Sequence, residues 1–217
     1  MSLLDKPIGE LAATIPGATR LFNENKLDYC FNGQQTLRQT LKNINIDHDS
    51  FLSQLDALDL QKELANHLMW GAQPTASLIT HIIDNFHEKH RQQFPELIQL
   101  IKKITLNHPD HPELPKELES HLVSMEFELQ EHMMKEEEIL FPLLMNGFYP
   151  TGPISVMEAE HLEHAKALEK LADITHQFTP PDGVCSSWQA LYVGVEQLYC
   201  DLKEHIHLEN NILFIEQ

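Results

Sequence analysis

Glycine and aromatic residues are scarce in this sequence: 8 of its 217 residues are Gly, and Phe, Trp and Tyr together make up 7%. β-Sandwiches and barrels need many turns and β-favouring rings, so this scarcity argues for helices. Cysteine is nearly absent too. Cys30, Cys185 and Cys200 are odd in number and widely spaced, which excludes a disulfide framework and fits a reducing cytoplasm. Cys185 and Cys200 are expected to pack as small hydrophobes. Positive charge is short as well. Lys and Arg total 15 against 33 Asp and Glu, a net charge of −18, so the chain repels phosphate backbones and nucleic acid is excluded as a partner. No apolar run nears the ~18 residues of a membrane span, and Met1-Ser-Leu-Leu-Asp-Lys-Pro7 lacks the basic-then-apolar order of an export signal. No membrane association is expected.

What the chain has in excess is histidine, 14 residues, nearly as many as all Lys and Arg. Their placement depends on how the chain is organised. Residues 1–62 read as a small domain of short helices, with Pro7 and Pro16 at first helical turns and Asn32-Gly33 as a turn. A linker over 63–74 closes with Gly71-Ala-Gln-Pro74. Residues 75–217 form four long helical segments, starting near Thr75, Pro115, Pro153 and Ser186. Short connections between them predict an up-down-up-down four-helix bundle, so the fold class is all-α. Pro95 and Pro142 fall inside the first two segments and predict local irregularity.

A bundle core is read at alternating steps of three and four residues. On the first segment the stripe is Ile79, Ile83, His87, His90, Phe94, Leu97, Ile101; on the second, Leu118, Leu122, Met125, Leu129, His132, Glu136, Ile139, Leu143. The third gives Ile154, Met157, His161, His164, Leu168, Leu171, and the fourth Trp188, Leu191, Val195, Leu198, Leu202, His205, Glu209, Ile212. Each apolar stripe is interrupted by His or Glu in core register. Height along the bundle brings these interruptions together. His87 lies about 18 Å up the first helix, and His132 and Glu136 lie roughly 15–21 Å from the matching end of its antiparallel neighbour. His161, His205 and Glu209 fall within about two turns of the same level.

His132/Glu136 and His205/Glu209 are i, i+4 pairs, so each pair projects from one helix face. Four imidazoles and two carboxylates buried together face a large desolvation cost unless cations offset it. Mixed His/carboxylate ligation with open positions suits non-haem iron, with each Glu bridging two ions. The absence of a His-Glu-x-x-His motif argues against a zinc protease. A ferritin-like site needs Glu-x-x-His motifs in core register, and Glu158-Ala-Glu-His161 has Glu158 off the stripe.

Phe86-His87-Glu-Lys-His90-Arg91, His132-Met-Met-Lys-Glu136-Glu-Glu-Ile-Leu-Phe-Pro142, Gly152-Pro-Ile-Ser-Val-Met-Glu-Ala-Glu-His161 and His205-Ile-His-Leu-Glu209-Asn-Asn211 resemble the Ric (YtfE/ScdA/DnrN) family. The likeness extends into the N-terminal part, at Ile8-Gly-Glu-Leu11, Asp28-Tyr-Cys30 and Gln35-Thr-Leu37, which resembles an ScdA-type domain. It implies a hemerythrin-like bundle whose two irons are held by His87, His132, Glu136, His161, His205 and Glu209 and bridged by Glu136, Glu209 and an oxo or hydroxo group. It also implies repair of iron–sulfur clusters after nitrosative or oxidative stress. The protein would act as an iron donor more than a turnover enzyme, with damaged iron–sulfur proteins and nitric oxide as partners and a homodimer as the assembly. The alternative is nitric oxide or oxygen binding, sensing or nitric oxide reduction at the same pair. The resemblance also points to His108, in the first inter-helix connection. His90 and His164 are expected to support ligands by hydrogen bonding. The family's N-terminal Cys-Cys pair is reduced here to Cys30 followed by Phe31, which leaves a single-thiolate role; a helix start just beyond would lower its pKa.

Overall fold

In the computed structural model, residues 3–215 are described apart from 16, 43, 45, 63–69, 71 and 72. Pro16 and most of the expected 63–74 linker lie outside the described residues. Among those described, secondary structure is helical, with a single isolated bridge between Pro7 and Thr36 in place of any strand. Among the described residues no helix is long and apolar enough to cross a membrane. The chain packs as two compact units, Met1–Thr80 with Lys203–Gln217, and His81–Leu202.

In the first unit a 3₁₀ turn (Leu3–Asp5) precedes α1 (Ile8–Thr14), α2 (Ala18–Glu24), α3 (Leu37–Leu41) and α4 (His48–Lys62). Pro7, with φ −58°, leads directly into α1. Thr36 opens α3 with a reciprocal cap: Gln39 N–H donates to Thr36 Oγ1 at 3.3 Å, and Thr36 N–H donates to Gln39 Oε1 at 2.9 Å. Ile8, Leu11, Phe22, Leu27, Tyr29 and Phe51 form a dry core, with the Phe22 ring 6.1 Å from Phe51 and 5.8 Å from Tyr29.

The long helices are α5 (Thr75–Ile82) and α6 (Glu88–Asn107), α7 (Leu118–Lys135) and α8 (Phe141–Met145), α9 (Thr151–Ile174) and α10 (Ser186–Leu208). α6 packs on α7, and α7 on α9. Gly194 on α10 meets α6 closely: a Cβ there would lie 2.7 Å from Leu97 Cδ2. Three π-helical turns punctuate the rods, Ile83–His87 between α5 and α6, Glu136–Leu140 between α7 and α8, and Glu209–Leu213 after α10. Each contains one of the buried ionisable residues of the stripe. A π turn takes up an extra residue, so the core face slips by one position beyond it. Leu140, Phe141 and Leu144 are therefore buried where the stripe placed Ile139 and Leu143, and Ile139 is 55% exposed. Likewise Ile82 and Phe86 are buried and Ile83 is only half-buried. α9 has no π turn, and all six of its stripe residues are buried. Pro95 leaves α6 unbroken, whereas Pro142 sits in the first turn of α8, directly after a π turn. Cys185 is exposed and Cys200 half-buried, so neither packs as the core hydrophobe expected.

Candidate metal centre

α7 delivers His132 and, one turn later, the π turn delivers Glu136, with His132 Nε2 3.3 Å from Glu136 Oε1. The other oxygen, Glu136 Oε2, lies 3.5 Å from His87 Nε2, carried by the π turn before α6. His161 of α9 sets its Nε2 3.0 Å from His132 Nε2. At the end of α10, His205 Nε2 is 3.1 Å from Glu209 Oε1. All six side chains are at most 1% exposed.

Their ligand atoms fall into two sets, His87, Glu136, His205, Glu209 and His132, Glu136, His161, Glu209; within each set the atoms lie within 4.8 Å of one another. Both carboxylates belong to both sets. Neither oxygen of Glu136 has a hydrogen-bond partner, although the residue is wholly buried. A buried carboxylate in that state is costly, and convergent imidazole nitrogens with carboxylate oxygens are a donor set for a transition-metal cation. The residues fit iron.

The outer nitrogens of two histidines are fixed by carboxylates. His87 Nδ1–H donates to Glu137 Oε1 at 2.6 Å, and Arg91 Nη2 donates to the same oxygen at 2.7 Å. His132 Nδ1–H donates to Glu160 Oε2 at 2.9 Å, while Lys135 holds Glu160 Oε1. An ionised carboxylate only accepts, so each ring is held as the Nδ1–H tautomer with its Nε2 lone pair toward the centre. The His87 hydrogen bond, joined by Arg91, holds the Glu137 carboxyl below the usual range against partial burial. Burial likewise opposes the Lys135 and His132 bonds that pull Glu160 down. Sequence reasoning missed both residues. Glu137 and Glu160 lie off the core stripes, and which helices flank them cannot be read from a stripe. Glu137→Gln is expected to weaken iron retention by about 10–100-fold while leaving the helical circular dichroism unchanged, as competition with a ferrous chelator would measure.

The other candidates stand outside the two sets. His164 is buried and packs edge-on against His132, ring centroids 5.0 Å apart. His90 donates from Nδ1 to Gln93 Oε1 at 3.0 Å, and Gln93 donates to the buried Asp201 at 2.7 Å. His108 caps the end of α6 and lies 5.8 Å from the Trp188 ring. Cys30 departs from expectation. It is 2% exposed, burial pushes its thiol well up although Lys203 pulls the other way, and the next helix begins only at Leu37. Its backbone N–H donates to Asp28 Oδ1 at 3.2 Å, and no helix terminus stabilises a thiolate there.

A helical bundle with a buried His on every long rod and a buried Glu on two of them defines a class of cation-binding proteins, and the family model of the Hemerythrin HHE cation binding domain matches residues 78–215. The ScdA_N model, a Domain of Unknown function (DUF542), matches residues 4–59. Beyond the class, the chain is 42% identical over 99% of its length, and 97% of theirs, to proteins named "Iron-sulfur cluster repair protein YtfE" from Yersinia pseudotuberculosis serotype O:1b (strain IP 31758) and serotype O:3 (strain YPIII). It is 41% identical over the same shares to the protein of that name from Yersinia pestis (strain Pestoides F). The chain belongs to this hemerythrin-like YtfE family.

Proposed function

We propose that the protein repairs damaged iron–sulfur clusters by supplying iron from the buried His/Glu centre. The observation that carries this reading is the sharing of Glu136 and Glu209 by both ligand sets. A pair of irons would be held by His87 and His205 in one set and His132 and His161 in the other, with Glu136 and Glu209 available to both. Iron bound there supplies a redox-active, exchangeable cation. The chain's own part is to fix the His87 and His132 lone pairs through Glu137 and Glu160, exclude water and provide the two shared carboxylates. The substrate is an iron–sulfur protein damaged by nitric oxide or oxidants, and the repair protein works in the cytoplasm as a homodimer, as its family resemblance implies. The relatives are named for cluster repair, which favours this reading over gas carriage or nitric oxide reduction.

The test is restoration of activity to a nitric-oxide-inactivated cluster enzyme with this protein as the sole iron source. The iron-loaded protein is expected to restore it, and the apo and His132→Ala forms to fail. Equal restoration by all three would sink the donor role.

A further inference from the structure

The C-terminal segment that carries His205 and Glu209 has a second buried face, and the N-terminal domain grips it. Lys203, His207 and Asn211 recur every fourth residue and meet the same stretch, residues 27–33. Lys203 Nζ donates to the Leu27 carbonyl at 3.2 Å and lies 5.0 Å from the centroid of the Tyr29 ring. The His207 ring meets Tyr29 edge-on at 5.2 Å. Asn211 Nδ2 donates to the Tyr29 carbonyl at 3.4 Å and to His207 Nδ1 at 3.0 Å. The amide also fills space that only glycine leaves open: a Cβ on Gly9 would lie 2.6 Å from Asn211 Oδ1, and one on Gly33 2.5 Å. Gly9 N–H donates to the Gly33 carbonyl at 2.9 Å, so the two glycines are themselves locked together.

Two residues on from Lys203 and His207 sit His205 and Glu209, turned about 200° around the helix by its 3.6-residue period. One face of the segment is held by residues 27–33 and the opposite face offers the ligands. Rotation or sliding of the gripped face therefore moves both ligands together. Ligand positions matter at the scale of a fraction of an ångström for a metal site.

We infer that residues 27–33 of the N-terminal domain position His205 and Glu209 through Lys203, His207 and Asn211, so that loosening this grip speeds the loss of iron. The inference rests on the iron-centre reading above. Coupling of this kind is reciprocal: iron held at Glu209 must also steady residues 27–33.

The experiment compares iron-loaded full-length wild type, Asn211→Ala, Gly33→Ala and, as a control cavity in the same domain, Leu41→Ala, a buried residue of α3. Release of iron to a ferrous chelator is followed by absorbance, and hydrogen–deuterium exchange is read over residues 27–33 with and without iron. Release at least tenfold faster in Asn211→Ala and Gly33→Ala is expected, with less than threefold change in Leu41→Ala. Iron is expected to slow exchange over 27–33 in the wild type, and Asn211→Ala to lose that protection. Release within threefold of wild type in both test variants, or equal acceleration in the control, overturns the coupling. If a variant does not fold, the wild type alone decides: exchange over 27–33 that ignores iron overturns it as well. A wild type that holds no iron overturns the iron reading, and this inference with it; a wild type that holds iron with unchanged variants overturns the inference alone.

Discussion

Glu136→Gln is expected to strip iron from both sides of the centre, from about two ions per chain to near zero, because its carboxylate belongs to both ligand sets. Loss of an outer partner of a ligand costs about 10–100-fold in metal affinity, so loss of a shared ligand exceeds about 100-fold. The iron-free proteins respond in the opposite sense. There the Glu136 carboxylate is wholly buried with no hydrogen-bond partner on either oxygen, and its charge is a burden on the fold. The neutral amide keeps the shape and removes the charge, so iron-free Glu136→Gln is expected to be more stable than iron-free wild type by about 1–3 kcal/mol. Elemental analysis checks the first effect and chemical denaturation of the two iron-free proteins the second. A variant that keeps half its iron would remove Glu136 from the shared position. Iron-free Glu136→Gln that is less stable than wild type would show that neighbouring imidazolium groups already balance the carboxylate.

The same residue marks where sequence reading works and where it stops. The i, i+4 spacing of His132/Glu136 and of His205/Glu209 depends only on helical period, and so does the stripe along α9, where every expected core residue is buried. Beyond Glu136 the period itself changes. A π turn has no residue-type signature comparable to a capping box, so Ile139 and Leu143 took the core positions that belong to Leu140 and Leu144. Local chemistry failed in a different way at Glu137 and Glu160. Each is a surface-type residue by pattern and becomes an anchor only because a histidine of an adjoining rod offers its Nδ1–H. Cys30 failed as well. A helix start just beyond it would lower its pKa, but α3 begins only at Leu37 and burial raises the thiol instead. The Asn211 grip on Gly9 and Gly33 joins residues about 200 positions apart, a closure no local pattern encodes.

Removing iron from the wild type is expected to lower Tm by roughly 8–16 °C, since ligand held about 1,000-fold above its Kd stabilises by about 4 kcal/mol and each kcal/mol is worth about 2–4 °C at this chain length. The ligands explain why the effect should be global. They come from the π turn before α6, from α7 and the π turn after it, from α9, and from the end of α10 with its own π turn, so every long rod has an anchor. π turns are rare interruptions of α-helix that gather at functional sites, and here each carries a ligand. Metal bonds formed at those points tie the interrupted rods together, whereas α9 is unbroken and offers His161 alone. Scanning calorimetry before and after complete chelation measures the shift, and exchange of the amides in Ile83–His87, Glu136–Leu140 and Glu209–Leu213 locates it. Glu136→Gln, holding no iron, should show no response to the chelator. A wild-type shift below about 2 °C with iron fully removed would mean that the bundle is preformed without its metal and that the π turns owe their geometry to packing alone.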